Sequence, residues 1–138
     1  MKETPEHALL GLVRGKIGSL GEPRGLDGSE LAVSTAVEVA RAGGQTFLVT
    51  PTAPDILPGI EGALIIDIYP DMPTTGADWV RFLQYKVPRI RRGALRDLLL
   101  VVIDQSLAKD AIEGLKPLAE WHRVAIAYLP PPMIKDAP

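Results

Sequence analysis

Three aspartates stand where apolar runs give way to polar residues: Asp67 in ALIIDIY (63–69), Asp71 just beyond it, and Asp104 closing DLLLVVID (97–104). Carboxylates at the carboxyl ends of parallel strands lie where α/β ligand sites form, and two such groups can hold magnesium. Asp67 and Asp104 are therefore candidate metal ligands of a magnesium-dependent phosphotransfer or hydrolase enzyme. The plainer alternative has them capping loops and neighbouring helices. The chain has no cysteine, which removes thiolate metal sites, cysteine nucleophiles and disulfides. His7 and His122 have no ligand spacing, and Ser19, Ser29, Ser34 and Ser106 sit in no nucleophile-elbow pattern.

A second chemical signal is charge. Arg81, Lys86, Arg89, Arg91, Arg92 and Arg96 fall in a stretch without an acid, so residues 79–96 carry +6 while the remainder carries −8 of the net −2. Such a cluster suits phosphate backbones with salt-sensitive binding, an acidic patch on a protein partner, or a second copy of the chain. It is equally what a solvated helix face looks like. Trp79 and Tyr85 could stack on bases, although a Trp at helical spacing also suits a core.

The elements that would position these residues alternate. RGKIGSL (14–20) reads as a short strand, and GEPRGLDGS (21–29) as a glycine-rich loop ending in a helix cap at Asp27 or Ser29. The helix ELAVSTAVEVARA (30–42) places Leu31, Val33, Ala36, Val37 and Ala40 near one face, and Gly43-Gly44 can end it in the left-handed conformation. QTFLVT (45–50) and residues 63–69 read as buried strands stopped by prolines. TTGADWVRFLQYKV (74–87) has caps at Thr75 or Asp78 and should kink or end at Pro88, which clashes with the Gln84 carbonyl. A solid apolar strand (97–104), a helix (107–121) and a last strand VAIAYL (124–129) follow. The expected fold is α/β, a three-layer sandwich with a mostly parallel five-stranded sheet and helices on both faces. One domain over 8–129 is expected, with irregular termini at 1–7 and 130–138. No apolar run reaches the roughly 20 residues of a membrane span, and the start lacks the order of a signal peptide. A soluble, cytoplasmic protein with no membrane partner is the expectation.

Four stretches in this order resemble the RecA superfamily of ATPases. RGKIGSLGEP (14–23) is similar to the strand entering the phosphate-binding loop, and GSELAVSTAVEVARAGGQTFLVT (28–50) to the following helix, AGG turn and second strand. LLLVVIDQS (98–106) resembles the Walker B strand ending in Asp104, and LKPLAEWHRVAIAYL (115–129) the helix and strand after it. The resemblance implies a RecA-like topology, with the first strand beside the last and the last beside 98–104.

It also exposes what is missing. A P-loop needs G-x-x-x-x-G-K-[ST], because backbone N–H groups wrap the phosphates, the lysine neutralises them and the hydroxyl holds magnesium. The loop marked by Gly21, Arg24, Gly25, Gly28 and Ser29 is one residue too long, and Gly28 takes the lysine position. Arg24 and the helix N-terminus leave weak nucleotide or phosphate binding open; a surface turn is the alternative. Where the family carries its water-activating acid, this chain has Thr50 and Thr52, and the last strand ends Leu129-Pro130-Pro131 in place of a polar sensor pair. Phosphoryl transfer depends on such positioning and charge, and of these parts Asp104 alone remains. The resemblance thus implies a non-catalytic RecA-like binding or regulatory domain with no resident cofactor. It would be an accessory factor in DNA repair or recombination, similar in kind to SulA-like and ImuA-like relatives. The alternatives are the magnesium enzyme above and a homo-oligomeric scaffold.

Overall fold

The computed structural model describes residues 14–20, 28–55, 62–93 and 97–130. The predicted domain span and both irregular termini extend beyond them, and Gly21, Arg24, Gly25, Asp27 and Arg96 lie outside the described residues. The described elements are β1 (Ile17–Ser19), α1 (Gly28–Arg41), β2 (Gln45–Thr50), β3 (Leu64–Ile68), α2 (Gly76–Gly93), β4 (Leu98–Ser106), α3 (Lys109–His122) and β5 (Ala125–Leu129). All strands pair in parallel in one sheet of order β1-β5-β4-β2-β3. The first strand lies beside the last, and the last beside β4, as expected.

The chain crosses from β1 to β2 through α1 on one face, then returns from β3 to β4 and β5 through α2 and α3 on the other. Direction and face reverse together, as crossovers of a single hand require. The solid apolar reading of β2 and β4 follows, because each is covered on both faces. Phe47, Val49, Val101 and Ile103 pack under α2 and α3, whereas Leu48, Leu100 and Val102 pack under α1. β3 departs from its buried reading: it is an edge strand, with Ile65, Ile66 and Asp67 half-buried and Ile68 46% exposed.

Helix α1 meets the sheet through Ala32, Ala36, Val39 and Ala40, while the predicted Leu31, Val33 and Val37 are only half-buried. The buried stripe is turned toward the small residues, which let the helix lie close to the strands. Ser29 is the second residue of α1, and Asp27, the other predicted cap, lies outside the described residues. Gly43 ends the helix in the left-handed region with φ 96°. Gly44 is constrained by space instead: a Cβ there would stand 2.9 Å from both Leu99 and Val39.

Helix α2 begins where expected, with Thr75 Oγ1 accepting the Asp78 N–H at 3.1 Å, but it passes through Pro88 and runs to Gly93. The bond that proline removes would have used the carbonyl of Gln84, an exposed residue whose carbonyl water can serve. Burial of Leu83 and Val87 on one side and the packing of Ile90 just beyond hold the helix together across that gap. Helices α2 and α3 touch closely, because Gly76 and Gly114 leave room for backbone and for Val80 respectively. In α3, Arg123 takes the C-cap in the left-handed region at φ 54°. Among the described residues no helix is long and apolar enough to cross a membrane.

Candidate functional site

Asp104 is the last buried residue of β4, 5% exposed, and it faces α1. The pairing of β4 with β5 slips there: Ile103 opposes Tyr128, but Leu129 is opposed by Ser106. Asp104 and Gln105 therefore fall in a break of the ladder. Ser106 Oγ then donates to the Pro130 carbonyl at 2.9 Å, and the Gln105 amide to the Pro73 carbonyl at 3.0 Å. These bonds tie the end of β4 to the neighbouring loops and hold the aspartate in place.

The hydroxyl of Thr50, at the end of the adjacent β2, donates to Asp104 Oδ2 at 2.7 Å. The same oxygen lies 3.1 Å from the Thr52 carbonyl, but a hydroxyl has one proton and serves one acceptor at a time. The shorter contact, to the carboxylate, is the charge-assisted one. Around this pair opens a cleft of about 580 Å³, whose described lining includes Glu30 and Ser34 from α1, Thr52 and Asp55 from the loop after β2, and Asp104. It lies at the carboxyl ends of the strands, where ligands of open α/β sheets bind. The described charged groups lining it, Glu30, Asp55 and Asp104, are all acids.

Asp67 does not join this site. It pairs in register with Val49, whose side chain belongs to the α2 and α3 face, so Asp67 and Asp104 project from opposite faces of the sheet with β2 between them. The two proposed metal ligands cannot share an ion in this fold. Asp67 instead forms an ion pair with Lys86 of α2 at 2.8 Å and accepts the Tyr69 hydroxyl at 3.3 Å. The Asp67 hydrogen bond raises the Lys86 pKa above its ordinary value, against a smaller opposing effect of burial. Asp71 is exposed in the loop after β3. Among the described residues no group of three or more acids and histidines is placed to hold a metal ion.

No protein-family model matches the chain, and no curated protein matches it in sequence. Fold and side-chain geometry are what bear on its function.

The described bases of the stretch do not form one continuous basic face. Lys86 turns to Asp67 on the sheet side. Arg91 lies 3.1 Å from Asp97 at ion-pair distance, though its Nε is not aligned for a hydrogen bond. Asp97 is also bound by Arg14, and that contact, ahead of the Arg91 charge, holds its carboxyl below the usual range. Arg81, Arg89 and Arg92 are exposed; Arg81 makes a loose pair with Asp78 at 3.4 Å. Arg89 lies over the ring of Tyr85, 4.2 Å from its centroid. Trp79 is core, 1% exposed, in edge contact with Phe82.

Gly28 and Ser29 open α1, with the phosphate-loop residues before them outside the described residues. Two features escaped the sequence reading. The sequence marks Thr50 only as a residue that is not an acid, whereas its hydrogen bond to Asp104 gives it a role of its own. Trp121 is 83% exposed, and its signal was available: it lies off the stripe of Ala111, Leu115, Leu118 and Ala119 that α3 buries.

Proposed function

We propose that the chain is a non-catalytic domain of RecA-like kind that acts by binding, as an accessory or regulatory factor in DNA repair or recombination. The parallel sheet with its first strand beside its last, and an apolar strand delivering Asp104 to the carboxyl-end cleft, are compatible with that ancestry. The observation that carries the non-catalytic reading is the Thr50–Asp104 hydrogen bond at 2.7 Å, in a cleft whose described charged lining is acidic. The carboxylate that would serve magnesium is buried and engaged by a neighbouring hydroxyl. A nucleotide triphosphate entering beside it would meet Asp55 as a like charge.

The test is titration of the full chain with ATP and magnesium, read by calorimetry and by phosphate release. The expected outcome is no turnover and no saturable binding at micromolar nucleotide. Tight binding with turnover that Asp104→Asn abolishes would overturn the proposal.

A further inference from the structure

Trp121 forms one wall of a groove of about 490 Å³ between α2 and α3, which Val80, Gln84, Gly114, Pro117 and Leu118 help to line. The two helices run parallel, since each returns from the carboxyl end of one parallel strand to the amino end of the next. The Gly76 N–H donates to Asp110 at 3.1 Å, and Gly114 faces Val80. A residue of α2 therefore stands level with the residue 34 positions later on α3.

The outward faces of this helix pair carry opposite charge. From Arg81 to Arg92, α2 has no acid and exposes Arg81, Arg89 and Arg92. Helix α3 exposes Asp110, Glu113 and Glu120 against Lys109 and Lys116, and Lys116 is paired with Glu113 at 3.3 Å. A basic edge, an apolar seam and an acidic edge lie side by side. Nucleic acid or an acidic partner would engage α2 but leave the acidic edge without a role.

We propose that this face is the interface of a symmetric homodimer, formed across a two-fold axis running along the groove. Such an axis lays α2 of one copy over α3 of the other without changing height along the helices, so a self-complementary patch meets itself. Arg81 then comes within two residues of the level of Glu113 in the second copy, about 3 Å of helix rise. Tyr85 and Arg89 bracket the level of Glu120, and the two Trp121 side chains meet near the axis. An axis across the helices would instead set α2 on α2, arginine against arginine. The i,i+3 pairs Arg81–Asp78 and Lys116–Glu113 are exposed, so exchanging them for contacts between copies costs little. This inference does not depend on the ancestry of the fold or on the cleft at Asp104.

Sedimentation of the full chain from about micromolar to about a hundred micromolar should show a reversible monomer–dimer equilibrium, weakened by salt. Trp79 is already buried, so a blue shift in fluorescence with concentration reports Trp121. Trp121→Ser should abolish the dimer while circular dichroism shows the fold intact, as its exposure allows. Arg81→Glu and Glu113→Arg should each weaken dimerisation by about tenfold or more, and the double variant should recover it. A chain that stays monomeric throughout overturns the proposal. So does a dimer indifferent to Trp121→Ser, or charge reversals that fail to rescue one another. Failure of the ATP experiment leaves these outcomes unchanged.

Discussion

Replacing Thr50 by Val removes the hydroxyl that donates to Asp104 and keeps the β-branched shape that β2 packs. A hydrogen bond to a charged group contributes about 1.5–3 kcal/mol, and its loss leaves a buried acceptor short of a donor. Both partners are at most 5% exposed, so water cannot readily replace the hydroxyl. Asp104 keeps a further interaction, which places the expected loss near the middle of that range, about 2 kcal/mol. For a chain of this length, that lowers Tm by about 6–10 °C. Asp104→Ala removes the acceptor outright and leaves the Thr50 hydroxyl without it. The assay is urea unfolding of both single variants and the double variant, read as a cycle. The hydroxyl and the carboxylate should couple by about 1 kcal/mol or more. A Thr50→Val cost below about 0.5 kcal/mol, or strictly additive effects, would refute the claim that the hydroxyl serves the carboxylate.

Gly76→Ala should destabilise by about 2 kcal/mol, because its Cβ would lie 3.0–3.1 Å from backbone atoms of Asp110 and Ala111 that cannot swing away. Gly93→Ala, with nothing within 4 Å, is the matched control and should leave the urea midpoint unchanged or slightly raised. Arg123→Gly should stabilise by about 1 kcal/mol, because the left-handed C-cap penalises a side chain; an unchanged or lowered thermal midpoint would count against that strain. Burial, and secondarily the Arg91 charge, hold His122 below its ordinary value of 6.5. The unfolded chain therefore binds the proton more readily, and stability should fall as pH drops below about 6.5 toward the folded value. His122→Gln should flatten that slope in urea midpoints measured across the window.

Local pattern was sufficient wherever a short run had chemical punctuation on both sides. Strand β2 falls on residues 45–50 as read, because Gly43-Gly44 ends the helix before it and Pro51 follows it. The start of α2 is legible for the same kind of reason, since Thr75 can accept an N–H of the first turn. The end of α2 was not legible: Pro88 is a local penalty, and the buried Leu83 and Val87 that outweigh it are a property of the packed sheet. The buried stripe of α1 was legible only in part: Ala36 and Ala40 are buried as read, but Ala32 and Val39 gain their importance only from how closely the helix can lie on the strands.

The sequence by itself determined the class of fold, the order of its elements and the arrival of Asp104 at the end of an apolar strand, because alternating period and punctuation are written locally. Only the tertiary structure decided which charged groups meet. Side chains alternate between the faces of a strand, so the relation of Asp67 to Asp104 depends on register and on β2 lying between their strands. That one parity sends Asp67 to Lys86 and Asp104 to Thr50. Likewise the bases of residues 79–96 lie within one short stretch of the chain, but α2, which carries all of them except Arg96, turns 100° per residue. It delivers Lys86 to the sheet, Arg91 to Asp97, and Arg81, Arg89 and Arg92 to the surface.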